Sequence, residues 1–209
     1  MASIDHRCGA VILAGGIGRR MGTCDKPLLT LGGRSILERL IAILSLQCQA
    51  LAISANGDPH RFFPWSLPVL SDDIEGAGPL AGVLRGLDWA AVQGLDSLLT
   101  VPGDTPFIPP MLLQRLLPAP CVAVSENRRH HLVATWPVSC CGLLRQRLEA
   151  AIACPDRGAL SVKAFADLID VREIVFDTEW FDPFFNVNTP EDYQAAIEML
   201  EHKVDHDRV

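Results

Sequence analysis

The chain predicts a three-layer α/β domain in which a mostly parallel central sheet is flanked by helices, and three observations lead there. Short apolar runs of strand length alternate with segments of helical period along the chain. The first apolar run, 10–14, stops at Gly15-Gly16 and gives way to a glycine- and arginine-rich stretch, the layout of a strand feeding a loop at a sheet edge. With 209 residues, 49% hydrophobic and 21% charged, the composition fits one domain, 1–209, with a sizeable buried core.

Taken in order, strands are expected over 10–14, 50–55, 69–71, 97–101, 121–125, 132–136 and 171–176, each a short apolar run. Helices are expected over 35–46, 79–93, 110–117, 140–154, 161–169 and 190–200, where apolar residues recur at helical spacing. The last helix has the sharpest start, because Thr189 can cap it, Pro190 suits its first position and Asp192 completes a near-capping box. Residues 27–31 read as extended chain, and Arg128, Arg129, His130 and His131 as a polar loop between strands. The almost fully charged end, 201–209, is expected to fray.

Charge narrows the function. A formal net charge of −7 and a pI near 5.3 argue against a general nucleic-acid binder, which needs a basic face to displace counterions. The seven cysteines form no CxxC pair and no Cys/His array, which suggests reduced thiols in a cytosol. Cys24 is the one that sits in basic surroundings. The N-terminal apolar run is too short for a signal sequence or a membrane span, so a cytoplasmic protein with no membrane partner is expected.

Against that acidic background, Gly15 to Arg34 carries four cations and one anion. Glycines there leave backbone N–H groups open to an anion, and Arg19, Arg20 and Lys26 supply the charge a triphosphate needs. A Walker loop is excluded, because Gly22 is followed by Thr23-Cys24-Asp25 and Lys26 leads into Pro27. The dinucleotide fingerprint fails as well, with Met21 where its third glycine belongs. In a parallel sheet the loops after 14, 55, 71 and 101 should converge on one cleft.

Several segments in that order carry a family resemblance: Leu13-Ala-Gly-Gly16, Arg20-Met-Gly22, Asp25-Lys26, Leu67-Pro-Val-Leu-Ser-Asp72, Gly78-Pro-Leu-Ala-Gly82, Pro102-Gly-Asp104-Thr-Pro-Phe107 and Phe185-Asn-Val-Asn-Thr-Pro-Glu-Asp192. Together they resemble the molybdenum cofactor guanylyltransferases, within the larger superfamily of nucleotidyltransferases. The resemblance implies a Rossmann-like nucleotidyltransferase fold, with an NTP-binding half at about 8–108 and an acceptor-binding half at about 109–200. It implies GTP and Mo-molybdopterin as substrates, Mg²⁺ as cofactor, and receiving molybdoenzymes or their chaperones as partners. It also implies that Leu13, Ala14, Gly15, Gly16, Arg19, Lys26, Ser54, Asp72 and Asp104 hold the nucleotide, and that Asn186, Asn188, His131 and Lys163 face the acceptor. Two departures stand out: Ser54 where the family tends to have Asn, and His131-Leu132 where a His-Pro pair is common.

The residues support that chemistry on their own terms. Asp104 ends a strand in a turn stiffened by Pro106, and Mg²⁺ on nucleotide phosphates takes only one or two protein carboxylates. Asp72 and Asp73 end another strand, and only Asp72 should face the site, because neighbours in extended chain point opposite ways. Lys26, with Arg20 and Arg19 assisting, is the cation able to follow charge onto departing pyrophosphate, although one arginine could instead pair with Asp25. Asn186 and Asn188, two apart, share a face. No histidine sits at a spacing that suggests metal ligation or a nucleophile–base pair. The reaction expected is attack of an acceptor phosphate on the α-phosphorus of GTP. A CTP-using relative, an enzyme acting on another phosphorylated acceptor, and a catalytically silent nucleotide-binding chaperone remain as alternatives.

Overall fold

The computed structural model describes residues 6–15, 25–74, 76–153, 158, 160–178 and 181–206. Its elements run β1 (Cys8–Leu13), β2 (Thr30–Leu31), β3 (Arg34–Ser35), α1 (Ile36–Leu44), β4 (Ala50–Ser54), β5 (Val69–Leu70), α2 (Pro79–Val92) and β6 (Ser97–Pro102). The second part contributes α3 (Leu112–Arg115), β7 (Cys121–Ser125), β8 (Arg128–Pro137), α4 (Cys141–Ala153), α5 (Val162–Leu168), β9 (Arg172–Val175) and α6 (Pro190–His206).

Seven strands form one sheet in the order β5-β4-β1-β6-β8-β7-β9, in which only β8 is antiparallel to its neighbours. β1 is buried on both faces, with Ala10, Val11 and Ile12 fully inaccessible, as a central parallel strand requires. Its alternate residues feed two cores. Ala10 and Ile12 join Leu37 and Leu40 of α1 and Ala196 of α6 on one face, and Val11 joins Leu80, Val83 and Leu87 of α2 on the other. The second core continues under α4 and α5 through Leu144, Leu148 and Phe165. The result is the three-layer α/β architecture expected.

Helix starts follow local chemistry. At α1 the Ser35 hydroxyl accepts from Glu38 N while the Glu38 carboxylate accepts from Ser35 N at 2.6 Å, a complete capping box. At α6 Thr189 Oγ1 accepts from Asp192 N at 3.2 Å, and the Asp192 carboxylate accepts from Thr189 N at 2.9 Å, with aspartate in the place glutamate usually takes. Tyr193 then ties α6 to the β2–β3 hairpin by donating to Thr30 O at 2.6 Å.

Four expectations are corrected. Residues 27–31 are not uniformly extended: Lys26–Leu28 form a 3-10 turn before β2. The helix expected over 110–117 shrinks to one turn, Leu112–Arg115. The end expected to fray over 201–209 stays helical through His206, because α6 is already nucleated by its cap, and 207–209 lie outside the described residues. Arg128 to His131 are not a loop: they begin β8, paired to β7 across a tight turn at Glu126-Asn127, whose φ values of 47° and 59° match a type I′ hairpin. No helix among the described residues is long and apolar enough to cross a membrane.

Removing the cap hydroxyl with Thr189→Ala should lower stability by about 1 kcal/mol, read as a lower urea midpoint at unchanged m-value. An unaltered midpoint would mean that Asp192 alone secures the start of α6.

Candidate active site

The chain runs from β1 outward to β4 and β5, then returns to place β6 on the other side of β1. This reversal of strand order is where open α/β sheets leave a crevice beyond the strand ends. A cleft of about 1300 Å³ lies there, bordered by Gly15 after β1, Asn56 after β4, Asp72 after β5 and Asp104 after β6. The convergence expected of the four loops is therefore realised. Backbone bonds level the ends: Ala14 N donates to Ser54 O at 2.8 Å, Ala55 N to Leu70 O at 2.9 Å and Gly103 N to Leu13 O at 2.9 Å. Gly103 has no room for a side chain, since a Cβ would lie 2.8 Å from Pro27 and 3.2 Å from Leu13 O. That contact brings the 3-10 turn of Lys26 against the turn of Asp104.

Around Asp104 the structure assembles three other sequence-predicted residues, Lys26, Asn186 and Asn188. Asn186 Nδ2 donates to Asp104 Oδ1 at 2.8 Å and to Thr105 Oγ1 at 3.1 Å. Lys26 Nζ donates to Asn188 Oδ1 at 2.5 Å and lies 3.5 Å from Asp104 Oδ2. Val187 N, between the two asparagines, donates to the backbone carbonyl of Asp104 at 2.9 Å. The side chains of Lys26 and Asp104 keep 18% and 21% exposure, so both remain open to a ligand. Asn186 and Asn188 do share a face, and here they grip the Lys26–Asp104 pair. Among the described residues no three His, Cys, Asp or Glu side chains gather into a metal cage. The Asp104 carboxylate, steadied by an amide, fits the donor set of a divalent metal ion that draws most of its ligands from phosphate and water.

A second chain of contacts orders the opposite wall. Asn56 donates from Nδ2 to Asp72 Oδ2 at 2.8 Å and accepts from Asp72 N at 2.9 Å, so the Asp72 side chain and backbone are held together. Arg61 donates to Asn56 O at 3.0 Å and reaches Asp25 at 3.5 Å. Among the described residues Asp25 is thus paired with Arg61, and the arginines of the glycine loop named for that pairing lie outside them. Asp73 turns away from the site, as expected, and meets Arg85 at 3.7 Å. Ser54 is buried at the cleft floor beside Gly82. Gly78 precedes α2 with φ 60° and ψ −149°, a conformation essentially reserved to glycine. Leu13, Ala14 and Gly15 border the cleft, whereas Gly16, Arg19, Arg20 and Cys24 lie outside the described residues.

The far half of the cleft is bordered by β8 and the start of α5, which bring His131 and Lys163 to the same cavity as Asn186 and Asn188. Burial holds both His130 and His131 below the ordinary histidine pKa, so neutral rings are favoured. Arg129 is tied to Asp167 at 2.7 Å and to Glu173, and these bonds raise its pKa further. One histidine meets a buried hydroxyl: Ser125 Oγ lies 2.6 Å from His130 Nε2 and donates to Asp182 at 2.6 Å. Ser125 is fully buried and Asp182 also accepts from Phe184 N, so the trio works as a strut between the hairpin and the segment leading to Asn186. Asn56, Arg61 and this strut are the residues that sequence reasoning missed. Only Asn56, two places beyond Ser54, carried any signal.

Comparison with known proteins accords with this geometry. The MobA-like NTP transferase domain matches residues 10–163. A molybdenum cofactor guanylyltransferase of Acidiphilium cryptum is 50% identical over 188 residues, covering 90% of this chain and 92% of its own. One from Rhodopseudomonas palustris is 44% identical over 207 residues, covering 94% and 96%. The crystal structure of molybdopterin-guanine dinucleotide biosynthesis protein A from Archaeoglobus fulgidus superposes with a TM-score of 0.66 at 22% identity, covering 93% of this chain and 99% of that one, and so shares its fold. The chain therefore belongs to the MobA-like NTP transferases, with the molybdenum cofactor guanylyltransferases as its kin, and is a nucleotidyltransferase.

Proposed function

We propose that the enzyme transfers GMP from GTP to the terminal phosphate of Mo-molybdopterin, forming the molybdopterin guanine dinucleotide cofactor and releasing pyrophosphate. The observation that carries this reading is the Lys26–Asp104–Asn186–Asn188 cluster at the strand-reversal crevice, with one cleft extending from it to Asp72 on one side and to His131 and Lys163 on the other. The residues up to about 108 hold the nucleotide and those beyond hold the acceptor.

An oxygen of the acceptor's phosphate monoester attacks the α-phosphorus of GTP, a new P–O bond forms, and the α–β bridging bond breaks as pyrophosphate leaves. That oxygen is anionic near neutral pH and needs no activating base, which fits a site without an exposed nucleophile–base pair among its described residues. The chain's task is to hold the two phosphates in line and to meet the charge that shifts during transfer. Leu13, Ala14 and Gly15, with Ser54 and Asp72, line the nucleotide side, and the family resemblance assigns Gly16, Arg19 and Arg20, which lie outside the described residues, to the same nucleotide. Lys26 exchanges its hydrogen bond to Asn188 for a phosphate oxygen, as a flexible ammonium can. Asp104 would hold Mg²⁺, which neutralises charge on the nucleotide phosphates when bound. Asn186 and Asn188 keep Asp104 and Lys26 in place and border the acceptor's path, where His131 and Lys163 form the far wall. Receiving molybdoenzymes or their chaperones would take the product onward in the cytoplasm. Incubation of the pure protein with Mg²⁺, GTP and Mo-molybdopterin, with pyrophosphate and dinucleotide quantified, tests the assignment: absence of both products removes it.

Asp104→Ala should cut kcat at least about a hundredfold while circular dichroism stays that of the parent. Activity within about threefold of the parent would take Asp104 out of the metal site. For Lys26→Ala the expected outcome is a larger fall in kcat than rise in the GTP KM, measured at saturating Mg²⁺. A pure KM effect would recast Lys26 as a uniform binding residue. In competition among equal concentrations of the four NTPs, the product mass should be that of the GMP conjugate. A site whose backbone groups bond a purine edge rejects a base that leaves them unpaired, and a CMP conjugate as main product would transfer the assignment to a cytidylyltransferase.

A further inference from the structure

The wall that faces the acceptor departs from regular sheet geometry at one point. Val122 of β7 pairs with Ala134 of β8, yet the next residue, Ala123, pairs with His130, so His131, Leu132 and Val133 are left out of the ladder. All three border the cleft. A bulge of this kind re-aims side chains next to a site, but it leaves backbone groups without ladder partners. β6 supplies one. The fully buried Thr100 hydroxyl donates to Leu132 O at 2.9 Å, with Ala134 O at 3.4 Å, and accepts from the indole Nε1 of the fully buried Trp136 at 2.9 Å. Trp136 in turn stacks on Phe165 of α5 at 5.9 Å between ring centroids, and α5 carries Lys163.

We infer that Thr100 is a positioning residue for the acceptor: its hydroxyl, oriented by Trp136, pins the His131–Val133 bulge and so shapes the acceptor wall without touching either substrate. The nucleotide side has its own supports, the Asn56–Asp72 pair and the Lys26–Asp104 cluster, none of which contacts Thr100 through a hydrogen bond. Loss of the hydroxyl therefore acts on one substrate. Valine at this position keeps the shape, but it strands the Leu132 carbonyl and the Trp136 N–H in a buried site, a situation that the bulge relieves by shifting.

This inference rests on the acceptor reading above, and its test separates the two. With Mo-molybdopterin as acceptor, Thr100→Val should raise the acceptor KM about tenfold and leave the GTP KM unchanged, whereas Thr100→Ser, which keeps the hydroxyl, should stay close to the parent. Equal rises in both KM values, no rise in the acceptor KM, or a serine variant as impaired as the valine variant would each overturn the proposal. Trp136→Phe preserves the ring stack and removes only the donor, so it should give the same split in weaker form. It stands in if the valine variant does not fold, and an unchanged acceptor KM there overturns the proposal equally. Amide hydrogen exchange checks the pin without any substrate: either variant should speed exchange across His131–Val133 and spare β1, and unchanged exchange across the bulge defeats the proposal even if the acceptor reading stands. A parent enzyme that fails to use Mo-molybdopterin defeats the acceptor reading alone.

Discussion

Everything at the site depends on four parallel strands ending at one level. Leu13 stands opposite Ser54 on one side and Pro102 on the other, and Ser54 stands opposite Leu70. A slip of one residue in any of these pairings would turn Asp72 or Asp104 toward the wrong face, because side chains alternate along a strand. The register is protected by burial on both sides and by the closeness of α2. A Cβ on Gly82 would come within 2.7 Å of Ser54 Oγ, and one on Gly86 within 2.8 Å of Leu98 Cδ2. Glycines spaced four apart thus let one helix lie directly on β1, β4 and β6. The floor of the cleft is as much a consequence of that contact as of the strands themselves.

This also explains which parts of the molecule the chain declares locally. Buried strands and capped helices carry their signals within a few residues: the apolar run of Cys8–Leu13, the Thr189-Pro190-Glu191-Asp192 start of α6, and the turn that presents Asp104. The first half of β8 carries none, because Arg128 to His131 are polar and become a strand only through pairing with β7. The Asn56–Asp72 and Asp25–Arg61 contacts join residues 16 and 36 positions apart, and no periodicity announces such a meeting. The Ser125–His130–Asp182 strut is hidden for the same reason, with Asp182 57 residues from Ser125. Motif residues were legible as a set, while the residues that hold them in place were legible only in space.

Thiol chemistry is kept out of this arrangement by the same burial. The five described cysteines are free, and burial pushes Cys8 and Cys141 to about 11 and Cys140 to about 12. At neutral pH such groups are protonated and poor nucleophiles. Asp88 beside Cys141, held in turn by Arg145 at 2.6 Å, adds to the effect. None of these thiols borders the cleft, and in the proposed mechanism the burden falls on position and charge.

The asparagines show how that burden is met. Each oxygen of the Asp104 carboxylate has a different neighbour, Asn186 Nδ2 on Oδ1 and Lys26 Nζ near Oδ2. A second cation in place of Asn186 would hold Asp104 more tightly, but it would cancel the charge on which the proposed metal site relies. A second acid would repel Asp104 and raise the cost of keeping both ionised. A neutral amide fixes the direction of the carboxylate and leaves its charge intact. Asn188 does the corresponding work for Lys26: a neutral amide oxygen accepts from the ammonium beside its 3.5 Å approach to Asp104 and adds no second full ion pair. On the proposed mechanism the cation, held beside Asp104 by a neutral oxygen, passes to a more negative phosphate, which is why both positions call for amides and neither for a charge.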